Sequence, residues 1–203
     1  MCQDDYKSIC ESSQPSIFML KSEEFSIYCG GFFINNKGIG LSAYHFFTDV
    51  KKNMKKCVLS YKGKEYNVEL LCANEANHVI VIKAKGLGNT PFLKLVEKDL
   101  LLGEEVVLFS VNPFGVPIFE PGFVLDKSYV NLKEVNFECI RSSCRGGPGY
   151  SGGPVVGRDG GVIGIHKSFS GLFSVFDSIS IPAGNILRFL RSKGKFTENG
   201  WEF

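Results

Sequence analysis

The sequence holds few histidines (three), one tryptophan and no long apolar run. No stretch approaches the roughly 18–20 apolar residues that a membrane-spanning helix needs, and the opening MCQDDYKSICESSQ is polar and acidic rather than a secretory leader. No C-x-x-C pair exists among the seven cysteines Cys2, Cys10, Cys29, Cys57, Cys72, Cys139 and Cys144. Their number is odd and several sit in apolar runs, a pattern that fits reduced thiols in a soluble intracellular protein of cytoplasm or nucleus. The three histidines are scattered without ligand spacing, so neither a metal nor any other cofactor is expected. Charge of one sign is also missing: 23 basic and 21 acidic residues are well mixed, for a net charge of +2. The one local excess, Lys51, Lys52, Lys55 and Lys56, reads as a solvated loop, and no nucleic-acid partner is expected.

What is present is a series of short apolar runs between turn signals. Candidate strands cover residues 16–22, 25–35, 38–44, 56–62, 65–73, 78–85, 105–111, 119–130, 136–143, 153–158 and 161–168. Connectors such as NNKG, KGK, NPFG and RDGG supply residues that tolerate left-handed backbone. That texture predicts an all-β sandwich or barrel protein. Helix is scarce: IPAGNILRFLRSKG near the C-terminus places Ile186, Leu187 and Leu190 on one face, and a short helix is possible near Asp4–Glu11. The segment LGNTPFLKLVEKDLLLG, residues 87–103, separates two strand-rich halves.

Chemistry concentrates in GGPGYSGGPVVGRDGGVIGIH, residues 146–166. Gly, Pro and Ser are ordinary turn residues, so Ser151 is by itself ambiguous. GYSGG fits the G-x-S-x-G elbow of α/β-hydrolases, but an elbow needs a helix after it, and GPVVGRDGGVIGI reads as two strands around a turn. Gly147, Gly149 and Gly152 also fit the G-x-G-x-x-G spacing, which requires the same missing helix to cradle a pyrophosphate.

A third reading rests on five stretches in order. GIGLSAYHFF (38–47), GEEVVLFSVNPFG (103–115), IRSSCRGGPGYSGGP (140–154), VIGIHKS and SISIPAGNILRFLRSKGKF resemble the motifs of Deg/HtrA serine proteases from about residue 25 onward. The resemblance implies two six-stranded antiparallel β-barrels of the chymotrypsin type, with a short C-terminal helix. Residues 1–95 would form the first barrel and carry His45, and residues 96–203 the second, carrying Ser151. His45 would then be the general base and Ser151 the nucleophile of a serine endopeptidase, with the amides of Gly149 and Ser151 as oxyanion hole. Unfolded polypeptide substrates in that family's manner are implied, with no membrane partner. A homotrimer through aromatic residues near the N-terminus is a further family trait; Tyr6, Phe18 and Phe25 could serve here, though a place in the core would explain them equally. A PDZ domain after the closing helix, where this sequence ends, is another such trait.

The pattern breaks at the triad acid. Where the family has the aspartate of D-L-A-L-L-K, this chain reads HVIVIK, so the position falls on His78. Three outcomes stay open: a Ser-His-His triad failing when His78 is protonated, below about pH 6.5 for an ordinary histidine; a substitute acid such as Glu75, Asp49 or Asp177; or a catalytically silent pseudoprotease that binds peptides. For the substrate pocket, the resemblance points to Arg145, which would favour an acidic side chain, and to His166 and Phe169 on the wall.

Overall fold

The computed structural model describes residues 3–132, 135–169 and 178–203. Six strands form the first closed barrel: β1 (Ile17–Ser22), β2 (Ile27–Phe33), β3 (Ile39–Ala43), β4 (Val58–Tyr61), β5 (Lys64–Asn74) and β6 (Val79–Ala84), in the order β1-β2-β3-β6-β5-β4. A second closed barrel comprises β7 (Glu105–Val111), β8 (Pro117–Leu132), β9 (Val135–Ser142), β10 (Pro154–Gly157), β11 (Val162–Phe169) and β12 (Ser178–Pro182), ordered β10-β11-β12-β9-β8-β7. All strand pairings within the two barrels are antiparallel. The expected pair of six-stranded barrels is therefore the observed architecture.

Helices frame the barrels: α1 (Gln3–Ser13), α2 (Tyr44–Asp49) and α3 (Ala183–Arg191). The helix expected near Asp4–Glu11 is α1, which places Ile9 and Cys10 in the main core and pairs Asp5 with Arg158 at 2.6 Å. Sequence periodicity missed α2, a single turn or so at the end of a strand run, and ran residue 44 into that strand. It also missed the terminal hairpin β13 (Lys195–Thr197) and β14 (Gly200–Glu202). That hairpin returns to the first barrel, where Trp201 donates its N–H to the Ile34 carbonyl at 3.0 Å and accepts from the Asn35 amide at 2.8 Å.

Tight closure of the first barrel depends on an exchange of volume. Phe18 on β1 lies over Gly31 and Gly40, where an added Cβ would stand 2.2 Å and 2.5 Å from its ring. The missing side chains on β2 and β3 let one phenyl ring fill the space, at dense native packing. Phe18 is 1% exposed and packs against Phe33 with the ring centroids 4.9 Å apart and the planes tilted by 48°, so it belongs to the core and offers no surface for trimer contacts. Tyr6 and Phe25 are only partly buried, Tyr6 edge-on to Phe119 at 6.5 Å.

The segment between the barrels is stitched to both. Leu93 donates to Phe33 of β2 at 2.9 Å, and Val96 donates to Val162 of β11 at 2.8 Å while Val162 donates back to Lys94. A continuous apolar cluster runs from Phe32 and Ile34 through Val107, Phe109 and Ile165 and joins the two barrels, each of which also holds a cluster of its own. Removing the Phe18 ring leaves a cavity that two strand backbones cannot collapse into. Phe18→Ala is expected to lower unfolding free energy by about 3–5 kcal/mol, read as a shift of the urea midpoint at unchanged slope.

Candidate active site

The cleft between the barrels has a volume of about 390 Å³ and is lined by Tyr28, His45, His78, Gly147, Pro148, Gly149, Ser151, His166 and Lys167. Each barrel supplies part of it. His45 sits in the first turn of α2, which follows directly on β3. His78 closes the turn before β6, its N–H donating to Glu75 at 3.0 Å and its carbonyl accepting from Tyr44 at 3.0 Å. The backbone there is left-handed, with φ of 52°, a conformation in which histidine, asparagine and aspartate are enriched. These two backbone bonds hold the rings side by side. His45 Nδ1 and His78 Nε2 are 2.7 Å apart, with the rings 28° from parallel.

Burial disfavours charge on both rings. The His45 imidazole is lowered from its ordinary 6.5, first by burial and then by the Lys167 cation, with Asp49 opposing. His78 is pushed down to about 3 by burial, by His45 and by Lys167. Both are neutral near pH 7, and the expected failure of the pair below about pH 6.5 moves to lower pH. Among the described residues no carboxylate hydrogen-bonds His45: Glu75 accepts instead from Tyr44 Oη at 3.3 Å, and Asp49 lies exposed at the end of α2. Asp177 falls outside the described residues.

Ser151 lies on a loop made almost wholly of close approaches. Gly149 has φ of 85°, and a Cβ there would meet the Tyr28 ring at 2.2 Å; one on Gly153 would meet the Phe109 carbonyl at 1.9 Å. The Gly149 carbonyl accepts from Gly30 N–H at 2.9 Å and from Ser110 Oγ at 2.8 Å. Among the described residues the N–H groups of Gly149 and Ser151 have no hydrogen-bond partner, and both residues face the cleft. The Ser151 hydroxyl donates to the Lys167 carbonyl at 3.0 Å rather than to His45. That carbonyl is turned inward by a register shift in β11 between His166 and Ser168. A strand, β10, follows the loop, so neither the hydrolase elbow nor the dinucleotide spacing has the helix it needs.

A family model described as the trypsin-like peptidase domain matches residues 29–165, two thirds of the chain. The chain belongs to that family. Within it this trypsin-like domain is Deg/HtrA-like. It is 28% identical over 167 residues to serine protease HTRA1 of Xenopus tropicalis, covering 79% of this chain and 35% of that protein. It is 29% identical over 140 residues to a probable periplasmic serine endoprotease DegP-like of Chlamydia muridarum, covering 68% and 27%. The trypsin-like domain thus spans about a third of the length of these relatives. Solved structures agree on the fold: the active form of the Rv3671c protease from M. tuberculosis superposes with a TM-score of 0.78 at 14% identity over 93% of this chain and 85% of that one. Deg5 superposes with a TM-score of 0.76 at 18% identity, over 92% of each chain. Among the described residues no helix is long and apolar enough to cross a membrane. Relatives named as periplasmic leave the expected cytoplasmic or nuclear location without support from these likenesses.

The cleft gathers His45, His78, Gly149, Ser151 and His166, all marked in the sequence. It does not gather Arg145, which is exposed and outside the cleft lining. The Phe169 backbone pairs with Ser178, and its side chain lies outside the described residues. Tyr28, Ser110 and Lys167 were missed. Tyr28 and Ser110 read only as strand residues, and Lys167 gave no sign that its carbonyl rather than its amine would meet Ser151.

Burial of neutral histidine carries a stability signature. The His166 ring is pushed down to about 3 by burial and by His45, so between pH 6.5 and 3 the unfolded chain binds a proton that the folded chain refuses. Stability therefore rises with pH across that window and is lost as pH falls, by up to about 1.4 kcal/mol per pH unit from this group. His78 and His45 act in the same direction. Urea unfolding at pH 6.5 and pH 5 should show the loss, and His166→Leu should flatten it.

Proposed function

We propose that this domain is a serine endopeptidase that cleaves polypeptides through an acyl-enzyme on Ser151, with His45 as general base and His78 as the residue that orients it. The observation that carries this reading is the 2.7 Å bond from His45 Nδ1 to His78 Nε2 in the cleft that also holds Ser151. For His45 Nε2 to accept the serine proton, Nδ1 must carry a hydrogen and donate it. A neutral His78 can accept at Nε2, with its own hydrogen on Nδ1. A protonated His78 would instead donate, place the His45 hydrogen on Nε2 and abolish the base. Burial, by holding His78 near 3, keeps it an acceptor at working pH.

In the reaction, the Ser151 hydroxyl leaves the Lys167 carbonyl, exchanging one hydrogen bond worth about 1 kcal/mol for another. Oγ attacks the substrate carbonyl carbon as the proton passes to His45 Nε2. The tetrahedral oxyanion is received by the N–H groups of Gly149 and Ser151, donors of a kind worth roughly 3–4 kcal/mol. The imidazolium then protonates the leaving amine, and water repeats the sequence to release the acid. His78 has no negative charge to stabilise the imidazolium, so turnover below that of an aspartate triad is expected. Polypeptide substrates and a homotrimeric assembly are carried over from the Deg/HtrA relatives as part of this proposal.

A second reading, peptide binding without turnover, is favoured by one observation: the resting serine hydroxyl is bonded to Lys167, not to the base. A fluorophosphonate probe separates the two. One adduct by intact mass on the native chain and none on Ser151→Ala is expected; no adduct between about pH 6 and 9 would leave the binding reading standing.

The orienting role has its own test. His78→Ala should lower kcat by about 10²–10⁴-fold. His78→Asp suits the left-handed backbone and adds charge beside the imidazolium. It should raise kcat by about tenfold or more and move the acid limb of the pH profile upward. An unchanged profile in both variants would remove His78 from the mechanism.

A further inference from the structure

Resting on the endopeptidase reading, we propose that Tyr150 is the positioning residue of the oxyanion donors, and that its hydroxyl bond to Glu120 sets the angle between them. The two donors, the N–H groups of Gly149 and Ser151, flank Tyr150, and neither has an internal partner among the described residues. Because peptide units are planar, their relative direction is fixed by the backbone torsions of Gly149 and Tyr150. Gly149 is held by its carbonyl, which accepts from Gly30 N–H at 2.9 Å and from Ser110 Oγ at 2.8 Å. The remaining torsions belong to Tyr150.

Tyr150 is held at four points. Its N–H donates to the Gly147 carbonyl at 3.1 Å, closing the turn that presents Gly149. Its carbonyl accepts from Gly153 N–H at 3.1 Å, closing the turn that presents Ser151. The ring stands edge-on to the His166 imidazole at 78° and packs against the cluster of Leu108, Ile140 and Val155. Gly147 lies against the ring, where an added Cβ would stand 3.4 Å from it. The hydroxyl, at the far end of the side chain, donates to Glu120 Oε1 at 3.2 Å.

The acceptor is placed by the same strands that place the loop. Glu120 on β8 pairs with Leu108 on β7, and the next two residues of β7 both meet the loop. The Phe109 carbonyl stands 1.9 Å from where a Gly153 Cβ would be, and Ser110 bonds Gly149. Phe119, beside Glu120, packs on Phe109 at 5.9 Å and edge-on to Tyr6 of α1 at 6.5 Å. Burial and the Glu120 carboxylate push the Tyr150 hydroxyl up to about 12, so it stays a donor at working pH. The bond acts on the longest lever that the residue has. Oxyanion donors work within about 2.7–3.1 Å of the charge they receive, so a small tilt of either one is felt as rate.

The test follows fluorophosphonate labelling of Ser151 by intact mass, separating the saturating rate from the half-saturation concentration, for Tyr150→Phe, Glu120→Leu, their double variant and Glu120→Gln. Tyr150→Phe keeps the ring and both turns. It should lower the saturating rate by about 10–100-fold, part of the about 10²–10³-fold that a lost donor costs, and leave half-saturation within about twofold. Its acid limb in the pH profile should stay in place, since the base is untouched. Glu120→Leu should match it, the double variant should be no slower than either, and Glu120→Gln, which keeps an acceptor oxygen, should recover most of the rate. An unchanged saturating rate in Tyr150→Phe, additive losses in the double variant, or a loss confined to half-saturation would overturn the proposal. If the native chain takes no adduct, the endopeptidase reading fails, and the positioning is read by ¹H–¹⁵N NMR. The Gly149 and Ser151 amide resonances should then move in Tyr150→Phe while those of β4 and β5 stay in place; unmoved loop resonances would overturn the assignment.

Discussion

One backbone amide of the first barrel ties down the Ser151 loop of the second. The N–H of Gly30, on β2 of the first barrel, donates at 2.9 Å to both the Gly149 and Ser151 carbonyls of the loop in the second. The approach is possible because neither side carries a Cβ in the way: one on Gly152 would stand 2.3 Å from the Gly30 carbonyl, and one on Gly30 would stand 3.0 Å from Ser110 Oγ. Ser110 adds a second bond to the same Gly149 carbonyl. With the carbonyls drawn toward the first barrel, the loop is held against Tyr28 and the amides of Gly149 and Ser151 are left without internal partners. Glycine's cost in backbone entropy is offset here by positions that no other residue could occupy.

The second constraint is dielectric. All three histidines of the chain meet at this cleft, and burial lowers the basicity of each. An aspartate beside His45 would bring a charge and its desolvation cost. His78 brings neither, and a pair of neutral imidazoles depends on tautomer geometry rather than on Coulomb attraction. In the proposed reaction such an arrangement would orient the base but contribute little to the imidazolium that forms during acyl transfer. The Lys167 cation in the same lining disfavours that imidazolium further.

Much of the fold was legible because the strand period and the turn residues are local properties. The strand runs before residue 87 and after residue 104 match β1 to β11 within a few residues. The failures fall where an element is too short for a period or is held from far away in sequence. A helix as short as α2 has too few turns to show a period, and the β13–β14 hairpin is held by contacts with Ile34 and Asn35, far away in sequence. Phe18 read either as a core aromatic or as one able to meet a neighbouring subunit. It is buried because Gly31 and Gly40 on two other strands leave room for its ring.

In the site, the five ordered stretches that resemble Deg/HtrA proteases were what marked His45, His78, Gly149, Ser151 and His166; residue types alone left Ser151 ambiguous. Sequence alone determined which groups are available, and that the acid of the usual triad position is a histidine. Tertiary structure decided their states. Folding set the 2.7 Å distance between the two rings, the burial that keeps them neutral, the turn of the Lys167 carbonyl toward Ser151 and the exclusion of Arg145 from the cleft. Those outcomes depend on distance and desolvation between residues tens of positions apart, which no local pattern encodes.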